Sequence, residues 1–124
     1  MIAEKIKEYE VVSMDMTTGG TSLKGYLTTT YDKLLELLGK PTYTDADPYA
    51  KVNCEWVLDT KYYEDGYEDE YDYNYETVTI YNWKDGHIPM NECQWHVGGT
   101  SYNSQDIVDL IVEGNITPVE NYNS

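Results

Sequence analysis

Residues 52–83 read VNCEWVLDTKYYEDGYEDEYDYNYETVTIYNW. At the start, Val52, Cys54, Trp56 and Leu58 alternate with Asn53, Glu55 and Asp59, Val57 being the exception, which is the period of a half-buried strand. At the end, Thr77 to Trp83 is rich in β-branched and aromatic residues and reads as a second strand. Between them, positions 59–76 hold eight acidic residues and six tyrosines against the single lysine Lys61. Tyr71, Tyr73 and Tyr75 alternate with Asp72, Asn74 and Glu76, so strand character continues into the acidic stretch. With Asp65-Gly66 as a tight turn, the whole segment predicts one long hairpin. That register carries a conflict: it sets inward Cys54 opposite Thr77 and turns Val78 and Ile80 outward, which a bulge or a looser tip would repair.

Working outward, Glu8 to Met16 predicts a strand, Gly19-Gly20 a turn and Leu23 to Leu27 a short strand, together an opening hairpin. TTYDKLLELLG then switches to helical period, with Tyr31, Leu34, Leu35 and Leu38 on one face. Thr29 is the expected N-cap, Gly39 takes the left-handed position at the other end, and Pro41 prevents resumption. Glu92 to Val97 places Cys93, Trp95 and Val97 on one side of a strand, joined to its predecessor through an Asp85-Gly86 turn. Ser104 is the expected cap of a second helix with Ile107, Leu110 and Ile111 inward, ended by Gly114. The expected fold is α+β, an antiparallel sheet with two helices packed on one face and a long acidic hairpin or loop. Residues 1–114 form its single domain and 115–124 a polar tail.

Net charge −15 over 124 residues disfavours direct contact with nucleic acid or anionic lipid. The N-terminus lacks the apolar run of a signal peptide and no stretch has the length of a membrane span, which predicts a cytosolic protein. Cys54 and Cys93 are expected as reduced packing residues.

Neighbouring exposed carboxylates repel by a few tenths of a kcal/mol per pair, so a cluster this dense implies a use other than stability. Halophilic solubility would spread the acids evenly, whereas here they are gathered. Asp59, Asp65, Asp69 and Asp72 offer oxygens to calcium but lack loop spacing, so no metal or cofactor is expected. Two histidines without a zinc motif and serines without a nucleophile elbow leave no catalytic residue to name. Gly98-Gly99-Thr100-Ser101 reads as a tight strand-to-helix turn. The expected contact residues are Asp59, Glu64, Asp65, Glu68, Asp69, Glu70, Tyr71, Asp72, Tyr73, Tyr75 and Glu76. Their carboxylates would be read by Arg and Lys of a basic, nucleic-acid-binding protein.

The motifs GTSLKGYL (20–27), TYDKLLELLGKP (30–41), CEW (54–56), TIYNWK (79–84) and WHVGG (95–99) resemble those of small phage-encoded proteins of unassigned function. The resemblance covers most of residues 19–112 and implies phage origin and an infected host cell's cytoplasm. In charge and size the chain is similar to anti-CRISPR and anti-restriction inhibitors, which implies a CRISPR effector or restriction nuclease as target, blocked by DNA mimicry. The competing expectations are a phage structural or accessory interaction protein, and a small hydrolase or ligand-binding protein using His96 and Gly98-Gly99.

Overall fold

The structure is a computed structural model that describes residues 6–11, 21–63, 73–101 and 103–113. Six strands, β1 (Ile6–Val11), β2 (Ser22–Thr29), β3 (Tyr43–Thr44), β4 (Cys54–Tyr63), β5 (Tyr73–Tyr81) and β6 (Cys93–Gly99), form one antiparallel sheet. Its order is β1-β4-β5-β6-β2, with β3 paired to β4 on the β1 side. Helices α1 (Tyr31–Leu38) and α2 (Asn103–Glu113) complete the α+β fold. No helix among the described residues is long and apolar enough to cross a membrane.

The inner face of the sheet is what the alternation in 52–58 predicts. Cys54, Trp56 and Leu58 from β4, Val78 and Ile80 from β5, Trp95 and Val97 from β6 and Leu27 from β2 make one buried cluster. Leu34 and Leu38 of α1 and Ile107, Val108 and Ile111 of α2 join that same cluster, so both helices cover this face. Fully burying each aliphatic side chain stabilises the fold by roughly 1.5–3 kcal/mol, which makes this face the main source of cohesion.

The β4 and β5 register resolves the conflict noted above. Trp56 lies opposite Ile80 and Leu58 opposite Val78, and the ladder continues to Tyr63 opposite Tyr73. A two-residue turn at Asp65-Gly66 is incompatible with these pairs, because it would expose Val78 and Ile80; burial of both side chains sets the register instead. The connection therefore spans 64–72, which lies outside the described residues.

Local expectations fare differently. Among the described residues β1 and β2 do not pair with each other: β1 pairs with β4 and β2 with β6, at opposite edges of the sheet, while the rest of the expected opening hairpin, 12–20, lies outside the described residues. The expected hairpin of the last two strands forms: β5 and β6 are antiparallel neighbours joined by residues 82–92, where Lys84 and Gly86 take positive φ. The α1 N-cap is Thr30, whose Oγ1 accepts from Lys33 N at 3.1 Å. Thr29 is the last residue of β2, paired with Cys93, and its carbonyl accepts from the Trp95 indole. Gly39 at φ 77° closes the helix by donating its N–H to Leu35 O, in a backbone region where a side chain would clash.

Ser104 is likewise not the cap of α2. It lies fully buried in the first turn, and Ser101 Oγ accepts from Asn103 N at 3.2 Å in its place. Both cysteines are free; Cys54 is buried, which pushes its thiol up to about 12, and Cys93 is half-buried. The Leu110 side chain and the Gly114 stop lie outside the described residues.

Candidate interaction surface on the outer sheet face

The strand period that sends Trp56, Ile80 and Val97 inward sends their neighbours outward, and the registers align those neighbours across the sheet. Tyr43 lies opposite Glu55, Glu55 opposite Tyr81, Tyr81 opposite His96, and His96 opposite Tyr26. Five side chains from five strands thus form one transverse row, roughly 19 Å long at the usual strand spacing. Tyr26 and His96 meet edge to face at 5.2 Å between ring centres, and Tyr81 approaches His96 at 5.4 Å. Trp83, just past β5, stacks on His96 at 6.0 Å and touches Tyr81 at 6.2 Å. Gly98 makes room for Thr79, since a Cβ there would stand 2.6 Å from Thr79 Oγ1.

The row is open to solvent at its ends and closed in its middle. Tyr26, Tyr43 and Trp83 are exposed large side chains, whereas Glu55, Tyr81 and His96 are half-buried. Burial raises the Glu55 carboxyl above the usual glutamate range. Tyr81 is raised as well, by burial first and then by the nearby Glu55 and Tyr26. His96 is lowered by burial, with Asp85 opposing. Tyr43 is raised mainly because its hydroxyl donates to Asp45 Oδ2 at 3.1 Å.

A buried polar pair holds the loops at the Trp83 end. Asn82 Oδ1 accepts from Asn53 N at 2.8 Å and Cys54 N at 2.9 Å, while its Nδ2 donates to Asn53 Oδ1, Asp85 Oδ2 and His87 O. Asn53 Nδ2 donates in turn to the carbonyls of Asp45 and Asp47. The network ties 45–53 to 82–87 and fixes the chain on both sides of Trp83. It also supports Lys84 at φ 61°, a left-handed conformation that costs a non-glycine residue about 1–2 kcal/mol, and Lys84 N donates to Lys51 O at 2.7 Å. From this frame the ammonium groups of Lys51 and Lys84 reach the Trp83 ring at 6.0 and 5.8 Å.

Of the contact residues expected from sequence, Glu76 is corrected. It is 3% exposed, with its carboxylate accepting from the Thr100 and Ser101 hydroxyls and its carbonyl from Thr60 Oγ1. These bonds anchor the turn from β6 into α2, so Glu76 is a structural carboxylate and not a surface for a partner. Asp59 is half-buried on β4, opposite Thr77. Glu64, Asp65, Glu68, Asp69, Glu70, Tyr71 and Asp72 lie outside the described residues, and Tyr73 and Tyr75 are placed by backbone only.

Among the described residues no group of three or more His, Cys, Asp or Glu is placed to hold a metal ion. His96 has rings around it and no hydrogen bond to a carboxylate or hydroxyl among the described residues. What the arrangement offers chemically is flat aromatic contact, one partly desolvated carboxylate and a rigid loop frame. Comparison with protein-family models, curated proteins and solved structures finds no match.

Proposed function

We propose that this chain is a binding protein that performs no reaction of its own. Its acidic stretch occupies the basic nucleic-acid-binding site of a host defence effector, as a phage-encoded, anti-CRISPR-like inhibitor would. The observation that carries the reading is the pairing of Tyr63 with Tyr73. Paired residues lie about 5 Å apart, so the two described ends of the acidic stretch meet at one end of the β4 and β5 ladder. On one side β5 reaches past β6, which pairs with it only from Val78 to Tyr81, while on the other β1 flanks β4 as far as Tyr62. Net charge −15 supplies long-range attraction for a basic target and repulsion for nucleic acid itself.

The test is competition. An immobilised chain should capture a basic protein that duplex DNA displaces, and the Glu68→Gln, Asp69→Asn, Glu70→Gln, Asp72→Asn variant should capture it far less well. A second reading, an accessory contact between phage proteins, draws on the exposed Tyr26, Tyr43 and Trp83 of the outer face and differs in predicting capture that resists salt.

A further inference from the structure

We propose that the outer-face row receives an arginine side chain of the basic partner, with the guanidinium stacked on Tyr81 and Tyr43 and donating to the Glu55 carboxylate. This rests on the basic-partner reading above and adds a second, separate contact to it.

Glu55 is the reason for looking here. It sits between two tyrosines in the transverse row, opposite Tyr43 on one side and Tyr81 on the other. Among the described residues no hydrogen bond or ion pair reaches its carboxylate. The two lysines at this end of the sheet, Lys51 and Lys84, lie over Trp83 instead. A half-buried carboxylate without a cation is a costly arrangement that an incoming cation relieves. Burial holds its proton more tightly than usual.

The surrounding rings select among cations. A guanidinium is planar and weakly hydrated, stacks on aromatic faces and pairs with a carboxylate through two parallel N–H donors, whereas an ammonium is compact and strongly hydrated. An exposed aromatic sheet face is also the shape of a single-strand nucleic-acid platform. The charge decides against that occupant: Glu55 within the row and −15 on the chain repel phosphates. A second copy of the chain meets the same repulsion.

Two members of the row, Glu55 on β4 and Tyr81 on β5, lie on the strands that lead into the acidic stretch. From Glu55 to Tyr63 along β4 is roughly 27 Å at the usual rise per residue, so one partner surface can engage both contacts.

The test uses the full isotope-labelled chain and a blocked peptide, acetyl-Gly-Arg-Gly-amide, with lysine and citrulline versions as controls. Arginine peptide should shift the Tyr43, Tyr81 and His96 resonances saturably, lysine peptide more weakly and neutral citrulline peptide hardly at all. Glu55→Gln should weaken the arginine response about tenfold while the Trp56 and Trp95 signals stay native. Tyr81→Leu provides a second variant with the carboxylate intact and should weaken it as well. Equal shifts with citrulline, or unchanged affinity in Glu55→Gln, would overturn the proposal. In the 68/69/70/72 amide variant the row should still respond, so failure of the acidic-stretch reading and failure of the arginine site give different results.

Discussion

Trp56 and Trp95 meet edge to face with ring centres 5.7 Å apart, and each indole N–H holds a different end of α1. Trp56 Nε1 donates to Gly39 O at 2.9 Å, just past the helix, and Trp95 Nε1 donates to Thr29 O at 3.2 Å, just before it. One aromatic pair from β4 and β6 therefore fixes both the position and the direction of the helix. Trp95→Phe should cost about 2–4 kcal/mol in urea unfolding, from a smaller ring and an unpaired carbonyl beside buried Thr29. Trp56→Phe should cost somewhat less, because its hydrogen bond is only part-buried.

Asn82 is the most heavily bonded side chain of the loop frame. Asn82→Ala leaves the Asn53 and Cys54 backbone N–H groups without their acceptor, a loss of about 3 kcal/mol by chemical denaturation. Trp83 should also become more mobile, seen as a red shift and faster quenching of its fluorescence. Unchanged stability would show that water replaces the network at no cost.

The outer row sets two opposite pH responses. Glu55 binds its proton more tightly folded than unfolded, so its contribution declines as pH rises from about 4.5 through its raised value, and the penalty is complete above that. Glu55→Gln should stabilise the chain at neutral pH and make no difference well below pH 4.5. His96 binds its proton less tightly when folded, so its contribution is present above pH 6.5 and is lost as pH falls through the lowered value. His96→Gln should remove that acid-side loss. Stability curves against pH for the two variants separate the effects.

Thiol chemistry should divide the cysteines. Cys54 is fully buried with its thiol pushed up to about 12, so a disulfide reagent at neutral pH should leave it intact in the native chain. Cys93, half-buried, should react slowly, and denaturant should release two groups. Fast native labelling of both would contradict the packing of β4.

Period-two alternation made the core readable in advance, since Trp56, Leu58, Trp95 and Val97 all point where their spacing sends them. Strand partners were harder to read. That β1 joins β4 and β2 joins β6 depends on which edges remain open after β4, β5 and β6 assemble, and that information is nonlocal. The β4 and β5 register was recoverable in part, because only one pairing buries Val78 and Ile80 against Trp56 and Leu58. The transverse row is not legible in the sequence because Tyr43, Glu55, Tyr81, His96 and Tyr26 are scattered along it and align only after four registers are set. Glu76 was misjudged because it continues the alternation of the acidic stretch, and nothing local marks Thr100 and Ser101 as its partners.

The central claim is that the carboxylates at 68–72 carry partner binding, and its most direct measurement is capture from host lysate against salt, for the wild-type chain and the four-residue amide variant. The wild type should capture a basic nucleic-acid-binding protein that duplex DNA or high salt releases, and the amide variant should fold with level or slightly higher stability while affinity falls by several kcal/mol in total. Equal capture by the amide variant, or wild-type capture that neither salt nor DNA reverses, would contradict charge mimicry.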